Sequence, residues 1–209
     1  MRILPVTLAI LALATAPGCR SLCHQYSEGA SPDPGTLRLG AGFIIFSSYG
    51  YDQAQLTAGP GATLDASLLV TEYGPGTRRA PNDDLGIYRH ELSIDFMAAR
   101  TFHDVRNAGG WADIATTSLG VRLSTPRLLE PRLSFTAGGT VARFTFEDPL
   151  RPNGRATGFY VGAGAETFLM PDFSAGVEYT IHKVAGEDNA GSPIGDWYDQ
   201  LRMYIAAKF

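Results

Sequence analysis

The amino-acid sequence predicts an all-β protein: a closed, eight-stranded, antiparallel, up-and-down transmembrane β-barrel. Three observations predict it. Residues 36–209 repeat one unit, a run of alternating apolar and polar side chains followed by a turn rich in Gly, Pro, Asn or Asp. One face of these runs is apolar, while the other mixes glycine with charges of both signs. The first residues read as an export signal.

At 209 residues the chain has the length of one domain. Only 18% of residues are charged, below the ~25% usual for soluble domains. The formal net charge of −4 leaves no basic footprint, so nucleic acid is not an expected partner. No apolar run reaches the roughly 18 residues of a membrane-spanning helix, a test to which barrel strands are blind.

Residues 1–18 form the expected signal peptide: Arg2 supplies positive charge, and Ile3 to Ala16 is apolar but short. Two processing readings stand side by side. Ala14-Thr15-Ala16 suits an ordinary signal peptidase, although Pro17 would follow the cut. Ala16-Pro17-Gly18-Cys19 resembles a lipoprotein signal in which Cys19 is acylated, although Ala16 stands where Leu is usual. Residues 19–35, with Pro32, Pro34 and Gly35, read as a periplasmic tether. Cys19 and Cys23 are the two cysteines and precede the barrel; His24 alone adjoins them, so no metal site is expected.

The eight strands are expected near 36–47, 62–73, 86–99, 113–124, 132–146, 156–169, 172–184 and 197–209. The first places Arg38, Gly40 and Gly42 on its polar side, and the second Asp65. The third sets Leu92, Ile94, Phe96 and Ala98 against Arg89, Glu91, Ser93 and Asp95; the fourth puts Arg122 on the polar side. The sixth opposes Phe159, Val161, Ala163, Ala165 and Leu169 to Tyr160, Gly162, Gly164 and Glu166. The seventh opposes Phe173, Ala175, Val177, Tyr179 and Ile181 to Ser174, Gly176, Glu178, Thr180 and His182. The eighth opposes Leu201, Met203, Ile205, Ala207 and Phe209 to Gln200, Arg202, Tyr204, Ala206 and Lys208.

The connections should alternate between short inner turns, such as Met170-Pro171-Asp172, and longer outer loops. Segment 74–85 is a misfit, being long where an inner turn belongs. Segment 185–197 is expected as an outer loop, with Gly186 to Asn189 as its solvated tip. Phe46, Tyr49, Tyr51, Tyr73, Tyr88, Trp111, Trp197 and Tyr198 fall at strand ends, where aromatic girdles sit.

A membrane barrel turns its apolar face to lipid; a soluble lipocalin-like barrel turns it inward around a ligand. The polar faces carry Arg38, Arg89, Arg122, Arg202 and Lys208 against Asp65, Glu91, Asp95, Glu166 and Glu178. Balanced charge suits enclosure, because buried ions must be paired. Glycine beside them leaves room for long side chains in a narrow bore. Such a bore holds little beyond its own side chains, so a charge-plugged lumen is expected, with Glu178 beside Arg202 and Asp65 beside Arg38 or Arg89.

The chain ends Leu201-Arg202-Met203-Tyr204-Ile205-Ala206-Ala207-Lys208-Phe209. This resembles the terminal strand of Gram-negative outer-membrane barrels, whose final Phe the barrel-assembly machinery reads. Over 36–209, pattern and strand count are similar to the OmpA/OmpX-like eight-stranded family. That resemblance implies a bacterial outer-membrane location, contact with membrane lipid and lipopolysaccharide, a monomer, and Phe209 as the assembly signal. Eight-stranded lipid A deacylases carry a Ser two residues after a His near the seventh strand. Here Lys183 and Val184 follow His182. His90 and Glu91, as sequence neighbours, point to opposite faces. The expected function is therefore a non-enzymatic surface or envelope component with no cofactor, its outer loops making contact. An envelope lipid-modifying enzyme using His182 or His103, and a soluble lipocalin-like carrier, are the alternatives.

Overall fold

The computed structural model describes residues 34–49, 56–73, 90–105, 110–126, 131–147, 153–170, 172–191 and 193–209. Eight strands run in chain order: β1 (Leu37–Tyr49), β2 (Gly61–Tyr73), β3 (His90–Asp104), β4 (Trp111–Ser124), β5 (Arg132–Phe146), β6 (Gly154–Met170), β7 (Phe173–Asp188) and β8 (Pro193–Lys208). Every neighbouring pair is antiparallel, and β1 pairs with β8 to close the barrel. The seam continues past the strands: Phe209 N–H donates to the Leu37 carbonyl at 2.8 Å, and Leu37 N–H returns a bond to Phe209 at 3.1 Å. Closure leaves no free edge, which a chain in hydrocarbon requires because no water can satisfy an unpaired backbone group.

Alternation along the strands sorts side chains to two sides. Phe43, Leu64, Leu119 and Ile205 are 76%, 64%, 60% and 60% exposed on the outer wall. Arg38, Asp65, Asp95, Arg122, Glu166, Glu178 and Arg202 are buried within. Apolar side chains thus face outward and ions inward, which excludes the inward-apolar arrangement of a soluble ligand-binding barrel. In β1 the register shifts between Ile44 and Phe46. Across this bulge Ile45 and Phe46 both face out, while Ile44 and Ser47 both point in.

The strands outrun the sequence estimate at the end remote from Leu37 and Phe209. β3 reaches Asp104, β7 reaches Asp188, and β8 begins at Pro193. Gly186 to Asp188, expected in a loop tip, therefore belong to β7; the tight turn follows, with Gly191 at φ 81°. Polar residues mark this stretch as loop in a sequence reading, yet backbone pairing with β6 and β8 carries the ladder onward. Among the girdle aromatics, Phe46, Tyr73, Trp111 and Trp197 are exposed on the wall. Tyr198 is a correction: it is 2% exposed and points into the bore, since its parity is that of Gln200 and Arg202. Tyr51, Tyr88, Arg89, Cys19, Cys23, His24, the expected signal peptide, nearly all of the tether and the long 74–85 connection lie outside the described residues, as does the side chain of Tyr49.

Candidate functional site

The bore is built in three levels, and the ionic one lies toward the end that holds Leu37 and Phe209. Strand parity brings an acid or a base inward on all eight strands. Pairing then joins seven side chains into one alternating chain: Glu166, Arg38, Asp65, Arg202, Glu178, Arg122 and Asp95. Arg38 donates to Asp65 at 3.0 Å and lies 3.2 Å from Glu166. Arg202 donates from Nη1 to Asp65 at 3.2 Å and from Nη2 to Glu178 at 3.0 Å. Arg122 donates from Nη2 to Glu178 at 2.9 Å and grips Asp95 through Nε and Nη2, each at 3.1 Å.

Hydroxyls fill the remaining lone pairs. Thr136 on β5 donates to Glu178 at 3.1 Å, Ser67 donates to Asp95, and Ser174 donates to Glu166. Ser134 accepts from Arg122 at 3.2 Å. β5 contributes no ion to this chain of seven and joins it through the hydroxyls of Ser134 and Thr136. A carboxylate with charge-assisted donors on both oxygens has the shell that a buried ion needs.

Of the sequence-predicted pairs, Glu178–Arg202 and Asp65–Arg38 both form. The first is a direct cross-strand neighbour pair in the β7–β8 register. Glu91 is buried too, but its partner is Arg132, at 2.7 Å. Sequence reasoning missed Arg132, which is buried at the start of β5 with the inward parity of Ser134 and Thr136. Extending that parity back by one position would have found it. Lys208 is only half-buried, at the rim, with its ammonium 4.3 Å from the centre of the Phe168 ring. Tyr160 and Tyr204 point inward as expected, and Phe168 is buried in the bore with them. Tyr204 lies between Arg38 and Arg202, each about 5 Å from its ring centre.

Glycine makes this crowding feasible. A Cβ at Gly176 would lie 2.5 Å from the Tyr204 ring carbon bearing the hydroxyl, and one at Gly40 would lie 2.5 Å from an Asp65 carboxylate oxygen. These positions hold a full-length neighbour because they carry no side chain.

Above the ions lies a polar aromatic level. His182 is fully buried between Tyr160 and Tyr198, with ring centres 5.5 and 4.2 Å away and near-parallel planes. Its Nε2 lies 3.2 Å from the Thr180 hydroxyl. Ser118 and Thr140 share a hydrogen bond at 2.9 Å. His103 is also buried: Nδ1 donates to the Thr57 carbonyl at 2.8 Å, and Nε2 lies 3.0 Å from the Thr101 hydroxyl. His90 stacks on Tyr73 at 5.3 Å, while its sequence neighbour Glu91 faces the bore.

The outermost level corrects the expectation of a uniformly polar inner face. Leu56, Val105, Ile114, Phe144, Val184 and Ile194 pack there into an apolar cluster. Inward parity holds on every contributing strand, but the residue type changes from ionic to apolar along it. Such a cluster excludes water and lowers the local dielectric near the charges, which raises the cost of an unpaired ion.

An apolar wall around an ionic interior is a barrel built for hydrocarbon, and comparison with solved structures gives the same architecture. The chain is similar to Ail, the attachment invasion locus protein of Yersinia pestis, at 16% identity and a TM-score of 0.51, covering 85% of this chain and 100% of that one. Neisserial surface protein A matches at 15% identity and a TM-score of 0.46, covering 87% and 100%. The outer membrane enzyme PagL matches at 14% and 0.44, covering 82% and 98%. No protein-family model matches the chain, and no curated protein matches it in sequence. At 16% identity the likeness to Ail carries the fold alone, that of an eight-stranded outer-membrane barrel.

Proposed function

We propose that this outer-membrane barrel is a non-enzymatic surface or envelope component: its bore is plugged by its own charged side chains, and its outer connections make its contacts. One observation carries the reading. Arg122 on β4 and Glu178 on β7 belong to strands that do not pair, yet they meet at 2.9 Å. A salt bridge spanning non-adjacent strands occupies the bore itself rather than lining a channel. The apolar cluster beyond it blocks the same path a second time. Lipid and lipopolysaccharide would surround a monomeric barrel, and the barrel-assembly machinery would insert it.

The enzymatic alternative needs a nucleophile and a base facing a substrate. His182 instead lies between two tyrosine rings, with Thr180 as its hydroxyl neighbour, and His103 is engaged by Thr57 and Thr101. These placements favour structural roles for both.

Planar-bilayer recording and lipid A mass spectrometry on a deletion strain test the proposal together. The expected result is no stepwise conductance from the purified barrel and an unchanged lipid A profile. Steady ion-conducting steps would overturn the plug, and a lost lipid A modification restored by the wild-type chain but not by His182→Ala would overturn the non-enzymatic reading.

A further inference from the structure

One row of outward-facing residues crosses the barrel near its outer rim. Arg100 on β3, Ala115 on β4, Arg143 on β5, Arg155 on β6 and Glu187 on β7 are successive register partners. Arg100 is satisfied by Asp113, donating from Nε at 2.9 Å. Arg143 and Arg155 are different. They stand directly opposite each other on adjacent strands, both exposed, and neither makes an ion pair with a described residue. Like charges in that position repel, at a cost of a few tenths of a kcal/mol or more. Glu187, the β7 partner of Arg155, is likewise outside ion-pair distance of it.

The two arginines border a groove of about 490 Å³, lined also by Ala115, Thr117, Val141, Asn153 and Asn189. The wall beneath is thin. In the next row Thr117, Val141, Thr157 and Ala185 are partners, all small or medium-sized. One row lower, Gly139 sits between Leu119 and Phe159, which are 60% and 51% exposed. A Cβ at Gly139 would meet nothing nearer than a carbonyl oxygen at 3.9 Å, so the space outside it is open. Arg143, Val141 and Gly139 face the same way along β5. They form a trough that descends roughly 13 Å from the arginine pair into the apolar belt.

A paired cationic clamp at headgroup depth above an apolar trough is complementary to one kind of molecule. We propose that the outer wall of β4–β6 binds a phosphorylated acyl lipid: its phosphate sits between Arg143 and Arg155, and one chain lies over Val141 and Gly139. Two planar guanidiniums present the fork of donors that phosphate oxygens accept, and the bound anion removes the repulsion between them. Asn153 and Asn189 border the headgroup end with further polar groups. The inference rests on the membrane-barrel reading and names the lipid that this site would take.

The test uses the folded protein purified in a non-ionic detergent and titrated with dipalmitoyl phosphatidic acid under native mass spectrometry. Dipalmitoylglycerol lacks the phosphate, and inorganic phosphate lacks the chains. Binding of phosphatidic acid alone is expected, with no displacement by millimolar phosphate. Arg143→Gln together with Arg155→Gln should weaken it roughly tenfold or more. Gly139→Val, whose Cβ would meet no atom nearer than 3.9 Å, should weaken it by a factor of about three. Lys183→Gln, on the same wall beside Trp197, should leave it within about twofold. The single arginine variants report the same loss in part should the double variant fold poorly. Heat-modifiable gel mobility verifies the barrel in each, so failure of the fold and failure of the lipid site are read separately. Equal binding of dipalmitoylglycerol, displacement by phosphate alone, or undiminished binding by the double arginine variant would overturn the site. Undiminished binding by Gly139→Val would overturn the trough.

Discussion

Arg122 and Glu178 are joined across the bore, 56 positions apart in sequence and 2.9 Å apart in space. Glu178 also holds Arg202, and Arg122 also holds Asp95, so this contact links two halves of one ionic chain. Replacing Glu178 with Gln leaves two buried arginines short of a carboxylate. The barrel should lose about 3–5 kcal/mol of stability. Equilibrium urea unfolding in lipid vesicles, followed by tryptophan fluorescence, measures it. A loss below about 1 kcal/mol would show that the network is far more hydrated than its burial indicates.

A double-mutant cycle with Arg122→Met and Glu178→Gln isolates the central bond. Coupling of about 0.5–3 kcal/mol is expected for residues that share one network. A cycle between Arg132→Met and Glu178→Gln serves as the comparison, because Arg132 is bonded to Glu91 rather than to Glu178. Its coupling should be clearly smaller, measured by the same unfolding assay.

The crowding around Tyr204 predicts a steric defect. Gly176→Val places branched carbons where the Tyr204 ring already lies, with the Ala165 carbonyl oxygen close on another side at 2.9 Å. Overpacking of this kind costs about 1–3 kcal/mol or more. The fraction of heat-modifiable, folded barrel should drop, and Tyr204→Ala in the same chain should recover part of it.

The outer wall predicts the opposite chemistry. Phe43 pairs with Met203 across the β1–β8 seam, and both face outward. Phe43→Arg should cost about 2–4 kcal/mol in a bilayer, because a guanidinium near mid-depth must be solvated there. Phe43→Leu should cost much less. Similar values for the two variants would place that part of the wall in contact with water.

Strand number, strand centres and the phase of each face were legible in the sequence, because a period of two is a local property of the chain. Glu178–Arg202 was legible only as an acid and a base of inward parity on adjacent strands; the register that sets them opposite came with the structure, where β7 runs on to Asp188 and β8 begins at Pro193. Arg132 was concealed by its place at the first residue of β5, where turn and strand merge. Tyr198 was misplaced because an aromatic at a strand end fits girdle and bore equally well until parity is followed through it. The apolar cap over the bore was hidden because Ile114, Phe144 and Ile194 read as ordinary strand residues, one strand at a time.

The sequence by itself determined an eight-stranded barrel with one apolar and one ionic face, since alternation and turn residues act within a few positions of one another. Tertiary structure alone decided which ions meet, that Arg122 reaches Glu178 across the interior, and that Arg143 and Arg155 share one outward row. Those relationships depend on register around a closed ring. Barrel closure brings distant strands together, and no local spacing encodes the stagger at which the ring closes.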